Sequence, residues 1–143
     1  MSSKWTRILS GGVCAGLVFN VGGITSAWLM DLPEAFARFG VEPTASVGLL
    51  HLGLRFGLGF ASVLLYAGMR GGLGPGAGTA LRAAIPVWFI GYVPGSAVLN
   101  ELGVLGDGQL FFAILWGVAE TVAAVVLGAR LYEIAARRSG HGS

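Results

Sequence analysis

The sequence predicts an all-α integral membrane protein, four transmembrane helices in a compact bundle with both termini cytoplasmic. Three observations predict it. The first is composition: 55% of the 143 residues are hydrophobic, 11% are charged and the mean hydropathy is +0.76, whereas a soluble domain keeps about a quarter of its residues charged. The second is spacing. The charges cluster and leave four apolar gaps, at residues 8–30, 47–69, 80–99 and 110–132, each close to the roughly 20 residues that cross a hydrocarbon core. The third is charge asymmetry. Lys4, Arg7, Arg70, Arg82, Arg130, Arg137 and Arg138 fall on one side of the spans, while the other side carries Asp31, Glu34, Glu42, Glu101 and Asp107 against Arg38 alone. Basic residues near span ends are retained in the cytoplasm, which puts a multi-pass protein in the inner (plasma) membrane with acidic loops outside. The net charge of +2 reflects this topology and implies no nucleic-acid partner.

Each span is expected to be helical, because an isolated strand in lipid leaves its backbone groups unpaired, and none of the runs alternates as a barrel strand does. Span one follows Lys4 and Arg7 and ends near Thr25-Ser26-Ala27, an arrangement similar to a signal peptide; its apolar run is longer than a signal core, so it is read as a retained helix. Cys14 lacks the preceding pattern of a lipoprotein anchor and, as the single cysteine, makes neither an internal disulfide nor a multi-thiolate metal site. In the first outer loop, Asp31-Leu32-Pro33-Glu34 reads as a helix start with a capping acid and an early proline. Phe36 and Phe39 share a face and Gly40 closes the turn, which predicts a short helix at the outer interface, either a lid or docking surface or a loop resting near headgroups. The second loop, "RGGLGPGAGT", lacks the Gly-Lys-Ser/Thr ending and the strand context of a phosphate-binding loop. It is read as a flexible hairpin connector around Pro75. Span three contains Pro86 and Pro94, each of which removes a backbone donor and bends a helix.

Within the spans, small and polar residues recur every three or four positions: Gly12, Gly16, Asn20, Gly23 and Ala27; His51, Arg55, Gly59, Ser62 and Tyr66; Ala84, Trp88, Gly91 and Gly95; Ala113, Gly117, Glu120, Ala124 and Gly128. In lipid such a stripe marks the face turned toward other helices. Gly12, Gly16, Gly117 and Gly128 are thereby assigned to helix packing, as are Gly53 and Gly57 of "GLRFG", which lie on a different face and offer close approach to a second protomer or another membrane protein. The stripes also bring Asn20, Arg55 and Glu120 to one layer, with His51 a turn nearer the outside. A charge at a helix centre costs roughly 2.5–3.5 kcal/mol, so Arg55 and Glu120 are expected to pair, with Asn20 and Tyr66 or Ser62 taking leftover donors. The cluster reads either as an internal clamp fixing helix register or as a site for a proton, an anion or a small polar solute.

Other chemistry finds little support. His51 is the one histidine inside a span, His141 lying in the polar tail, so haem and metal sites are not expected, and no catalytic triad or carboxylate pair can be assembled. Trp88, Tyr92 and Trp116 could stack on a quinone or pigment, but they are read as packing or interface anchors, and no cofactor is expected. No inverted repeat relates the two halves. The stretches "TRILSGGVCAGLV", "LLYAGMRGGLGPGAGTALRAAIPVWFIGY" and "LWGVAETVAAVVLGARLYE" resemble a family of four-span bacterial inner-membrane proteins of unknown function. The resemblance implies a topology and no reaction, and its pattern has an acidic residue near Gly22 and Gly23 that this chain lacks. The expectation is a non-enzymatic accessory or assembly component of a membrane-protein complex, contacting the lipid bilayer and other membrane proteins through glycine-rich faces. The alternative is a small oligomeric transporter or channel.

Overall fold

A computed structural model of the chain describes residues 4–42 and 44–140; His141 lies outside the described residues. It contains α1 (Lys4–Leu29), α2 (Leu32–Ala37), α3 (Ala45–Leu73), α4 (Ala77–Glu101) and α5 (Asp107–Gly140). Four of them, α1, α3, α4 and α5, are long and apolar enough to cross a membrane. Their outward faces are apolar: Trp28, Leu49, Ile85 and Ile90 are each more than 60% exposed. A surface of this kind needs lipid around it, so the chain is a multi-pass helical membrane protein.

The four long helices form a square. α1 packs on α3 and α5, α4 closes the fourth corner against α5 and α3, and α3 also meets α5 across the diagonal; among the described residues α1 and α4 do not touch. Two glycine pairs set how closely α1 approaches its neighbours. A Cβ on Gly11 would lie 2.6 Å from the Gly128 carbonyl oxygen, and one on Gly59 would lie 2.7 Å from the Gly16 Cα. Only hydrogen side chains permit these crossings. Gly12 and Gly16 face the rings of Phe60 and Phe56, and Gly117 faces Tyr92. Because Gly11 in the first half of α1 meets Gly128 in the second half of α5, the start of α1 and the C-terminal part of α5 lie at the same end of the bundle, called here the terminal end.

The buried core occupies that terminal half. Phe19, Val63, Tyr66, Ala83, Ala124 and Val125 are fully enclosed there. In α3 the buried residues run from Gly59 to Tyr66 and in α4 from Thr79 to Val87, so neither helix buries a residue in its distal half. In the distal half, burial is left to residues such as Gly23 and Ser26 of α1 and Ala113 of α5.

Several local expectations are revised. Asp31 does not cap α2 through its side chain; it takes a left-handed conformation (φ 49°) that turns the chain out of α1. Helix α2 follows with its early proline, Gly40 at φ 70° ends the turn after it, and Phe39 lies beyond the helix, exposed. The glycine-rich second loop is mostly helix: Arg70–Leu73 finish α3, Ala77–Thr79 begin α4, and Gly74-Pro75-Gly76 make the turn, with positive φ at both glycines. Lipid explains this, since every added helical residue pairs a backbone donor and acceptor that would otherwise lie bare near the hydrocarbon. α4 runs unbroken through Pro86 and Pro94, whose side chains are exposed.

Candidate functional site

Arg55 lies ten residues into α3, roughly 15 Å along the helix from its distal start at 1.5 Å per residue, and its guanidinium reaches across to α1 and α5. Nη1 donates to Glu120 Oε1 at 2.5 Å and to the Phe19 carbonyl, and Nε donates to His51 Nε2 at 2.8 Å. His51 accepts at Nε2, so it is neutral and carries its proton on Nδ1. The second Glu120 oxygen accepts from Trp116 Nε1 at 3.0 Å, and the same indole donates to the Gly22 carbonyl at 3.1 Å. One carboxylate thus holds α3 and α5 together, and Arg55 and Trp116 each add a bond to a backbone carbonyl of α1. The Glu120 side chain is 2% exposed and that of Arg55 16%. Unpaired, either charge would work against insertion; paired, with both carboxylate oxygens satisfied, they fix the register of three helices.

Gly22 and Gly23 make room for the pair. A Cβ on Gly22 would fall against the Glu120 carboxyl group and one on Gly23 against the Arg55 guanidinium. The Arg55 Cζ also lies 6.0 Å from the centre of the Tyr92 ring, at the limit of a cation–π contact. The Tyr92 hydroxyl is buried beside Glu120 and Arg55. Above this layer is a cavity of about 230 Å³ whose lining includes Ser26, His51, Arg55, Tyr92, Ser96 and Trp116. It extends to Leu32, Leu99 and Leu105 at the distal end.

Of the four residues assigned to the polar cluster, the structure joins Arg55, Glu120 and His51 by hydrogen bonds and leaves Asn20 apart. The Asn20 amide donates to Gly16 O, one turn back in its own helix, at 2.8 Å. Ser62 likewise bonds Gly59 O within α3. Gly53 and Gly57 are exposed, and a Cβ on either would meet nothing within 4 Å. Trp116 was not anticipated as a carboxylate partner, although its position four residues before Glu120 puts both on one helix face.

Tyr66 belongs to a second cluster, at the terminal end, whose acid the sequence reading passed over. Arg70 clasps Glu133 through two bonds, Nε to Oε1 and Nη2 to Oε2, the latter at 3.0 Å. The Tyr66 hydroxyl donates to Glu133 Oε1 at 2.9 Å and accepts from the Gly76 backbone N–H at 3.2 Å. Tyr132 meets the Tyr66 ring edge-on with centroids 5.9 Å apart and also lies beneath the Arg70 guanidinium. The fork-on-fork pairing ties α3 to α5, and Tyr66 carries the tie on to the α3–α4 turn. Among the described residues, His, Cys, Asp and Glu do not gather in threes that could hold a metal ion.

The fold and site define a four-span helical membrane protein braced by two ion pairs, one mid-bundle and one at the terminal end. Comparison of the chain with known protein families, with curated proteins and with solved structures finds no match.

Proposed function

We propose that this protein is a non-enzymatic accessory or assembly component of a membrane-protein complex, resident in a bacterial inner membrane with both termini cytoplasmic and α2 at the outer interface. One observation carries the reading: Arg55 and Glu120 neutralise each other inside the bundle, while the distal half of α3 turns Gly53, Gly57 and their apolar neighbours outward without a partner. The charges are used to hold the fold, and an open glycine face is left for another helix. The test is association in mild detergent. Gly53→Leu with Gly57→Leu should release the protein from its complex, or from a second copy, while the protomer keeps its melting temperature; unchanged cross-linking would refute the role of this face.

The cavity favours a second reading, a small oligomeric transporter or channel for a proton, an anion or a small polar solute. It ends on Arg55 and the Tyr92 hydroxyl, two groups able to donate to a solute entering from the distal end. Saturable flux into proteoliposomes that is lost in Glu120→Gln would support this reading over the first.

A further inference from the structure

The terminal end holds a second cavity, of about 350 Å³, between the α3–α4 turn and α5. We propose that it binds the headgroup phosphate of an anionic phospholipid. Charge is the first argument. The cavity is lined by Arg130, Arg137 and Glu133, and both oxygens of Glu133 are already occupied by Arg70 and Tyr66. The charge that Arg130 brings therefore makes the space cationic, and Arg137 lies in the same lining with its charge acting on Glu133. Arg130 has no ion-pair partner among the described residues, and its side chain is exposed.

Polarity along the cavity is the second argument, and it selects a lipid over a free ion. Along α5 the lining begins at Val126 and Ala129 and reaches Arg137, so it is apolar toward the bilayer centre and cationic toward water. Arg130 and Arg137, seven residues apart, lie on one face roughly 10 Å from each other. An acyl chain below and a phosphate above match that gradient, and basic pockets between transmembrane helices at this level hold anionic headgroups. The first turn of α4 adds to the field: Gly76 caps it without a side chain, and Ala77, which lines the cavity, has a backbone N–H that the helix itself leaves unused. The volume lies within the range of small-ligand sites.

The test uses the full chain in a neutral detergent, with native mass spectrometry and thermal unfolding read against added phosphatidylglycerol, phosphatidylcholine or inorganic phosphate. Phosphatidylglycerol should bind saturably, one molecule per chain, and raise the melting temperature, whereas phosphatidylcholine and inorganic phosphate should do neither. Arg130→Gln with Arg137→Gln should weaken phosphatidylglycerol binding by about 30-fold, taking each arginine near the surface as worth about 1 kcal/mol. The control Arg82→Gln with Arg138→Gln removes the same charge outside the cavity lining and should leave binding within about 2-fold, since screening weakens distant charges. Equal losses in both double variants would overturn the site in favour of general surface attraction. Equal protection by inorganic phosphate would overturn the lipid assignment, and retention of tight binding in the Arg130/Arg137 variant would overturn the proposal. All four arginines are exposed or at the bundle edge, and unchanged melting without lipid shows that the variants fold.

Discussion

Gly22 and Gly23 carry no chemistry, yet the mid-bundle ion pair depends on the space they leave. Gly23→Ala would put a methyl group inside the Arg55 guanidinium, which three hydrogen bonds hold in place, and overpacking of this kind costs about 1–3 kcal/mol. Gly53→Ala meets open space and should be neutral or stabilise the protomer by up to about 1 kcal/mol through helix propensity. Thermal unfolding of both variants in one detergent checks the contrast; equal shifts would contradict it. At this scale the sequence was partly legible. Arg55 and Glu120 could be matched by depth and stripe, because two lone charges in a hydrocarbon layer have few other partners. Asn20 could not be excluded from the pair by the same logic: its amide has a carbonyl of its own helix one turn away, and that local bond competes with any longer reach.

Among the elements, the α3–α4 connection departs furthest from its sequence reading. Counting glycines suggested a flexible loop, but Tyr66 holds the turn by accepting from Gly76 N–H while donating to Glu133. Tyr66→Phe removes both bonds and leaves the Glu133 oxygen and the Gly76 donor short of a partner, so stability should fall by about 1–3 kcal/mol. An unchanged melting temperature would show that the turn holds itself. Glu133 went unread because it lies just past the last apolar gap, where an acid is expected to be solvated; only the folded register shows that Arg70, on a helix 63 residues away in sequence, faces it. The long helices themselves were legible, since length and apolarity decide what crosses a bilayer. Their ends were not, because lipid rewards continuing a helix through glycines that would break it in water.

The whole molecule is uneven: the enclosed core lies in the terminal half, while 45–58 of α3 and 88–101 of α4 at the distal end bury no residue. Amide exchange in micelles should follow that division, with 45–58 exchanging faster than 59–73; uniform protection along α3 would contradict the asymmetry. Orientation is a separate expectation: reporters placed after Ser143 and in the Gly74–Gly76 turn should both behave as cytoplasmic, and opposite sides would mean that one of α4 and α5 does not span. The central claim is that Arg55 and Glu120 clamp α1, α3 and α5 into one bundle. The most direct test is the thermal or denaturant stability of Arg55→Leu, Glu120→Leu and the double variant in a single detergent. Each single change should cost about 3–5 kcal/mol, because the survivor is left charged and unpaired, and the double variant should cost clearly less than the sum. Strictly additive losses would contradict the account, showing that the two side chains do not depend on each other.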